Sequence, residues 1–454
     1  MRKLLPFLAV ILAAAGCAPR FDVDLTVIPP GKVSSAIDLD VRFSVKNARK
    51  IAYGATVDLM AGDSLLYSSH GEVPGRQFFH DRIRIPAADL VGKDGIRMVV
   101  RRGGKVASSL FEPVSVVDSD IRSTRTIDGA YMGITHWSEL EGKNWNPAQR
   151  KMTDAQWREM ICSMHKIGMD IIVIQELFHC DNRAAKHDAT VETYPGLAYY
   201  PSKLYSARME MAAEHPVEVI FSVADSLGMK VLPGIGNFAR FDFSEQSLLW
   251  HKKVAREVWD MYGSHRSFYG FYVSEESGGS LDLWSWTKEK RDFRKKEIVD
   301  FFREFRAFCD SLAPAKPVMF STNSFGITTA LETYPKLMES LDILCPFGFA
   351  RMPAKDISGK EAADILQEIC DSKGAHLWFD LEAFLFNEDG SLYPRDIEGI
   401  IGDLTLLDNF EKVICYQYPG VFSDPESDFL VGEEKTLRLF NDYKTYLMTK
   451  QWPD

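Results

Sequence analysis

The amino-acid sequence predicts a mixed α/β protein in which a (β/α)₈ TIM barrel follows a small all-β, immunoglobulin-like sandwich. A change in the spacing of apolar residues carries this prediction. Up to about residue 117, apolar and polar residues alternate as in half-buried strands, whereas beyond residue 125 short apolar runs alternate with amphipathic helical stretches. The 454 residues also exceed one small domain and favour two.

The first 17 residues resemble the signal peptide of a bacterial lipoprotein. Arg2 and Lys3 precede an apolar run over residues 4–15, which is too short to span a bilayer as a stable helix. Small residues then stand directly before Cys17, as in a lipobox, although Ala14 occupies the place where leucine is commonest. An ordinary cleaved signal is the alternative. We expect lipidation at Cys17 and anchoring in the cell envelope, at the outer membrane or the cell surface.

Residues 18–122 form the predicted sandwich domain. Between residues 37 and 45, five apolar residues alternate strictly with four polar ones, and similar short stretches follow, separated by Gly and Pro turns. Short strands at this spacing are typical of an immunoglobulin-like sandwich. Because the segment shows no pattern that carries chemistry, we expect it to be a stabilising platform, with a spacer or glycan-binding role as the alternative.

Residues 123–454 form the predicted TIM-barrel domain. Eight strand-like runs are expected at 129–135, 170–176, 230–236, 269–276, 317–323, 341–346, 377–382 and 413–418. Helical stretches lie between them at 154–167, 216–227, 246–262, 297–312, 362–371 and 395–406. An open doubly wound sheet is the main alternative. It would normally carry a glycine-rich phosphate turn after its first strand, and residues 133–136 do not form one.

Composition limits the partners and cofactors. The 53 Lys and Arg residues against 64 Asp and Glu give a net charge of −11, which disfavours nucleic acid as a partner. No cofactor motif is present, and we expect none. Beyond Cys17 the chain has six cysteines, none at metal or redox spacing, so buried free thiols are favoured over disulfides.

Two glutamates are the principal catalytic candidates. In a TIM barrel, chemistry takes place where the strands end on their carboxyl side. In strand four, Phe271 and Val273 belong to the outward set with Tyr269, which leaves Glu276 rather than Glu275 pointing inward by the two-residue period. The same count in strand seven points Trp378, Asp380 and Glu382 inward. Glycoside hydrolysis requires two carboxyl groups that flank the scissile bond.

Four stretches, at residues 168–175, 224–231, 267–276 and 378–384, resemble an uncharacterised bacterial family of TIM-barrel lipoproteins. That family is grouped with retaining glycoside hydrolases, which place their acid/base at the end of strand four and their nucleophile at the end of strand seven. The resemblance implies Glu276 as acid/base, Glu382 as nucleophile and a carbohydrate substrate. The sequence departs from the family after strand six, where residues 345–348 replace a Pro-Gln-Asp turn.

Further residues that end strands or point inward are candidates for binding a sugar, because amides, phenols and aromatic faces suit its hydroxyls and rings. They are Glu176, His136, Trp137, Asn237, Asn323, Trp378, Asp380, Tyr416 and Tyr418. Core packing or a solvated charge at the barrel rim is the alternative role for several of these residues. Likewise, either glutamate of the pair could simply form a salt bridge with an arginine at the barrel mouth.

Three functions remain open at the level of sequence. The leading hypothesis is a membrane-anchored glycoside hydrolase that cleaves a glycan, with a retaining double-displacement mechanism. The second is a non-catalytic glycan-binding lipoprotein with a degenerate barrel. The third is a metal-dependent hydrolase that uses metal-ligand residue types around His179, although their spacing matches no known zinc motif and we predict no metal site.

Overall fold

The computed structural model describes residues 22–180, 189–282 and 287–450. Cys17 and the signal segment lie outside the described residues, as do Asp181, His187 and Asp188. Within the described ranges, no helix is both long and apolar enough to cross a membrane.

The N-terminal region contains two β-sheets that pack on a shared apolar core. One sheet has three strands, in the spatial order Asp22–Ile28, Asp38–Lys46 and Phe78–Pro86. The other has five, in the order Gly31–Ser34, Lys105–Val117, Gly95–Arg102, Tyr53–Ala61 and Ser64–Val73. Val41, Phe43, Val57 and Val100 lie fully buried between the sheets. The all-β N-terminal region is therefore confirmed, and its immunoglobulin-like class stays a prediction.

The larger region is a barrel of eight parallel strands. They are β1 (Gly129–Met132), β2 (Ile171–Ile174), β3 (Lys230–Pro233), β4 (Phe271–Ser277), β5 (Val318–Thr322), β6 (Ile343–Leu344), β7 (His376–Glu382) and β8 (Lys412–Tyr416). Consecutive strands are neighbours and β8 pairs with β1. Parallel bridges between Val231 and Phe268 and between Gly234 and Tyr272 close the ring from β3 to β4. A closed ring excludes the open doubly wound sheet.

A helix follows each strand and covers the outside of the barrel. The helices are α1 (Asp154–Lys166), α2 (Pro216–Leu227), α3 (Glu245–Tyr262), α4 (Lys288–Leu312), α5 (Tyr334–Met338), α6 (Gly359–Lys373), α7 (Ile397–Leu406) and α8 (Glu434–Thr449). The sequence pattern does not predict α5 or α8, and it predicts the start of α4 nine residues late. The first turns of α4 are highly charged, so they lack the apolar spacing on which the prediction depended.

Side chains along the barrel strands alternate between the barrel interior and the helix layer, as their two-residue period requires. Tyr272 and Trp378 lie in the cluster that fills the barrel interior, while Phe271 and Val273 belong to the layer under the helices. The expectation for Tyr269 is wrong, because this side chain lies in the interior cluster. It precedes the first residue of β4, so the alternation within the strand does not extend to it.

The sandwich closes the end of the barrel opposite the carboxyl ends of the strands. Ile28, at the end of the first sandwich strand, is fully buried within the interior cluster of the barrel. The hydroxyl of Tyr269 donates a hydrogen bond to the Val27 carbonyl (2.8 Å). Buried ion pairs join the two regions as well, since Arg42 contacts Asp40 of its own strand at 2.7 Å and Asp342 of the barrel at 2.5 Å.

The six cysteines that the structure describes are all free thiols. Four of them are buried, and Cys162 and Cys180 are half-buried. Free thiols are thus what the structure shows, as the sequence favoured.

Candidate active site

A cleft of about 580 Å³ lies at the carboxyl ends of the barrel strands. Five residues that the sequence analysis singled out line it: Trp137, Glu276, Asp380, Glu382 and Tyr416. Cavities of about 1150 and 1230 Å³ lie at the junction between sandwich and barrel, but they are at the amino ends of the strands. Because catalytic groups of this fold gather at the carboxyl ends, the smaller cleft is the candidate site.

Glu276 reaches the cleft from the end of β4, where the pairing with β5 is irregular between Val273 and Ser277. Its Oε2 accepts a hydrogen bond from Arg240 at 2.8 Å. The Arg240 guanidinium also stacks on Trp137, 3.9 Å from the centre of its ring. Glu276 is therefore held beside a cation and an aromatic face.

The neighbouring Glu275 is fully buried and points away from the cleft. It accepts backbone hydrogen bonds from Phe238 and Asp242, which bracket Arg240. Burial raises the pKa of Glu275 to about 8, against the lowering effect of those backbone N–H groups. Between these anchors, Arg240 and Phe241 both adopt positive φ values of 38° and 63°. Glu275 thus fixes a strained turn that directs Arg240 at Glu276.

Glu382 ends β7 and is buried, with 8% of its surface exposed. Arg351 binds its Oε1 through Nε at 2.7 Å and through a terminal nitrogen at 2.6 Å. Arg351 comes from the loop after β6 and lies over the Phe325 ring. Glu382 is thereby held in a fixed position by two contacts to one of its carboxylate oxygens.

Asp380 lies two residues before Glu382 on the same face of β7 and is 5% exposed. Its pKa is raised well above the ordinary value, first by burial and then by the charges of Glu382 and Glu276, with Arg351 opposing. The same pair of effects acts on Glu141, a cleft residue that follows β1. Its pKa is raised by burial and by Glu276, against Arg240 and Arg351.

Tyr416 is oriented by two partners behind the cleft wall. Its hydroxyl donates to Gln175 Oε1 at 3.0 Å and lies 2.9 Å from His136 Nε2. His136 Nδ1 accepts the backbone N–H of Ser138, and burial lowers the pKa of His136 to about 4. A neutral His136 ring and Gln175 therefore hold the Tyr416 hydroxyl between them. His136 itself is fully buried and does not line the cleft.

The remaining candidates lie outside the cleft. Glu176 is buried and accepts a hydrogen bond from Asn237 at 2.8 Å, beside His179. The Asn323 side chain accepts backbone bonds from Gly279 and Phe325. Trp378 lies deep in the barrel interior, and the Tyr418 hydroxyl meets Ser163 of α1 at 2.6 Å, on the helix side of the wall. These five residues support the loops and the barrel wall, and none lines the cleft.

The region around His179 offers no metal centre in the described ranges. No group of three or more His, Cys, Asp or Glu residues that could hold a metal ion occurs there. His179 Nδ1 instead faces Glu176 at 3.3 Å.

The sequence pattern does not predict six of the residues that line the cleft: Glu141, Arg240, Phe347, Arg351, Phe384 and Phe386. Each follows the end of a barrel strand, where no periodicity marks which side chain turns inward. The available signal was position alone, since all of them lie between the carboxyl end of a barrel strand and the helix that follows it.

The comparisons give a family and several similar folds. A family model described as "Domain of unknown function (DUF4434)" matches residues 127–428. No curated protein matches the chain.

Among solved structures, a "putative alpha-L-fucosidase" from Bacteroides thetaiotaomicron is 18% identical, with a TM-score of 0.49 over 72% of this chain and 94% of that one. A GH2 beta-galacturonidase from Eisenbergiella tayi is 12% identical, with a TM-score of 0.41 over 94% and 72% of the two chains. A Bacteroides uniformis beta-glucuronidase is 11% identical, with a TM-score of 0.41 over 88% and 46%.

Proposed function

This chain belongs to the family described as Domain of unknown function (DUF4434). From its family and the geometry of its cleft, we propose that it is a membrane-anchored glycoside hydrolase that cleaves a glycan with retention. One observation carries the proposal: Glu276 and Glu382, from opposite sides of the barrel, line the same cleft. Two carboxyl groups across a cleft are what glycoside hydrolysis requires.

Glu382 is the proposed nucleophile. The contacts from Arg351 to its Oε1 hold the carboxylate in place for attack on the anomeric carbon. As the bond from Glu382 to that carbon forms, the bond to the leaving oxygen breaks, and Glu276 gives that oxygen a proton. Water then attacks the same carbon, returns a proton to Glu276 and frees Glu382. The aromatic residues of the cleft wall, Trp137 and Phe384 among them, suit the faces of sugar rings.

Glu276 can take part as an acid only when it carries a proton. Its Oε2 is engaged by Arg240, so we expect substrate entry to open that contact. The contact involves a single carboxylate oxygen and a side chain on a strained turn. We therefore expect Arg240 to change position when substrate binds.

The test begins with release of reducing sugar from a panel of polysaccharides. We expect Glu382→Gln to abolish turnover while binding persists, because glutamine keeps the shape of the side chain but cannot attack the anomeric carbon. Glu276→Gln should also reduce turnover strongly. Glu388→Gln, an exposed position six residues further along, is the matched control and should behave as the wild type. Full activity of Glu382→Gln would refute the nucleophile assignment.

The arginine partners of both glutamates favour a second candidate, a glycan-binding lipoprotein without turnover. In that protein the ion pairs are permanent and the carboxylates only accept hydrogen bonds from sugar hydroxyls. The same panel separates the two functions, since a wild-type protein that binds a glycan and never cleaves it supports the second.

Anchoring through Cys17 is part of the proposal and rests on the residues around it. We expect the full chain to fractionate with membranes in a bacterial host and Cys17→Ser to lose the lipid. Incorporation of labelled fatty acid measures this, and labelling of the serine variant would exclude Cys17 as the modified residue.

A further inference from the structure

The cleft holds more carboxyl groups than it has cations to neutralise. Among the described residues that line it, four are acidic, Glu141, Glu276, Asp380 and Glu382, and Arg240 and Arg351 are basic. Each arginine is engaged by one glutamate. Four ionised carboxylates in this small volume would repel one another, so at least one of them is favoured as a neutral acid.

Asp380 has the surroundings of that neutral acid. Its Oδ1 is buried and has no hydrogen-bond partner among the described residues. The titratable groups that interact with it electrostatically are mostly anionic or uncharged: Glu276, Glu382, Arg351, Tyr131, Tyr272, Tyr416, Cys345 and Cys415. Arg351 is the cation of this set, and its contacts go to Glu382. An unpartnered carboxylate here would lack a compensating charge.

A hydrogen-bond donor at Asp380 would complement the neighbouring groups of the cleft, which accept hydrogen bonds or already use their proton. The glutamates accept hydrogen bonds, and the Tyr416 hydroxyl already donates to Gln175. A carboxylic acid kept neutral by its environment donates a strong hydrogen bond. We propose that Asp380 acts as a neutral carboxylic acid that donates a hydrogen bond to an oxygen of the sugar bound between Glu276 and Glu382. The sugar part of this inference rests on the proposed function.

Infrared spectroscopy of the substrate-free protein tests the protonation state directly. At pH 7 we expect a carbonyl band of a protonated carboxyl group that disappears in Asp380→Asn. Glu275→Gln is the reference variant. Burial raises the pKa of Glu275 to about 8, so this variant should lose a different carbonyl band, the one that belongs to protonated Glu275. Identical protonated-carboxyl bands in wild type and Asp380→Asn would overturn the proposal. This measurement needs no substrate, so it stands even if the protein proves not to be a hydrolase.

Kinetics on a cleaved glycan test the donor role. Asparagine keeps a neutral donor at the same place, whereas leucine removes it. We expect kcat/KM to fall by less than about tenfold in Asp380→Asn and by about a hundredfold or more in Asp380→Leu. If Asp380→Asn falls as low as Glu382→Gln, an ionised carboxylate or a transferred proton is required and the neutral-donor role is wrong.

Discussion

Glu275 and Glu276 are adjacent in sequence and have opposite surroundings. Glu276 lies in the cleft beside Arg240, while Glu275 is buried against backbone N–H groups of the turn that carries Arg240. The difference follows from the alternation of side chains along β4. One glutamate therefore faces substrate, and the other holds the residue that contacts the first.

The raised pKa of Glu275 predicts a pH dependence of stability. Burial raises its folded-state pKa to about 8, above its ordinary value of 4.5, so the folded state binds this proton more tightly than the unfolded state. Its contribution is fully present below about pH 4.5 and is lost as the pH rises through 8. Urea unfolding at pH 5 and pH 8.5 should show a loss in the wild type that Glu275→Gln reduces by a few kcal/mol. Glu388→Gln should follow the wild type, and parallel pH dependence of wild type and Glu275→Gln would contradict the assignment.

For individual residues, the sequence predicts the direction of a side chain better than it predicts the residues that the side chain contacts. The two-residue period was sufficient to place Glu276, Asp380 and Glu382 at the cleft. The two-residue period could not predict that Arg240 and Arg351 reach the cleft, because each comes from a segment between strand and helix whose path depends on tertiary contacts. For Tyr418 the same reasoning failed, since its side chain turns toward α1 rather than the barrel mouth.

Helix starts are encoded by local side-chain chemistry. In α6, Ser358 accepts the backbone N–H of Glu361, and the Glu361 carboxylate accepts the backbone N–H of Ser358. Thr153 and Gln156 form the same reciprocal capping box at α1. Each box satisfies two backbone donors that the helix itself leaves without a partner.

Removal of this cap should destabilise the barrel by a measurable amount. We expect Ser358→Ala to lower the free energy of unfolding by about 1 kcal/mol, because the backbone N–H of Glu361 loses its acceptor. Ser372→Ala, in the last turn of the same helix, is the control and should change stability by less than about 0.5 kcal/mol. Equal effects in urea unfolding would argue against the cap as the cause.

The sequence predicted every barrel strand but not every helix. Short apolar runs bounded by Gly and Pro are sufficient for buried parallel strands. By contrast, α5 has only five residues, and α4 begins in a segment of alternating charges. Such helices are stabilised mainly by packing on the outside of the barrel. A local sequence pattern does not reveal that tertiary contact.

Sandwich and barrel are joined by buried charges at the base of the barrel. Arg42 bridges Asp40 and Asp342, and Arg306 contacts Asp342 from α4 at 2.7 Å. Burial acts to raise the pKa of Asp342, but Arg42 and Arg306 outweigh it and hold the pKa well below its ordinary value. This contribution to stability is present above about pH 4 and is lost as the pH falls.

Loss of Arg42 should break a buried ion pair with each of two carboxylates, Asp40 and Asp342, and leave them to Arg82 and Arg306. We expect Arg42→Met to lower the free energy of unfolding by about 3–5 kcal/mol in urea titration. Arg84→Met, a half-exposed arginine 4.0 Å from Asp38 on the same sheet, should cost less than about 1 kcal/mol. Similar costs for the two variants would mean that the buried network contributes little.

The insertion of Ile28 into the barrel interior bears on the order in which the chain can fold. The sandwich is made first during synthesis, so Ile28 and the Val27 carbonyl are in place before β1 to β8 exist. The strands then close around a side chain already held by another folded region. A fragment beginning near residue 123 would lack that side chain and expose the apolar end of its interior to water. We therefore expect that the barrel does not fold on its own and that excision of the sandwich yields aggregation rather than a smaller working protein.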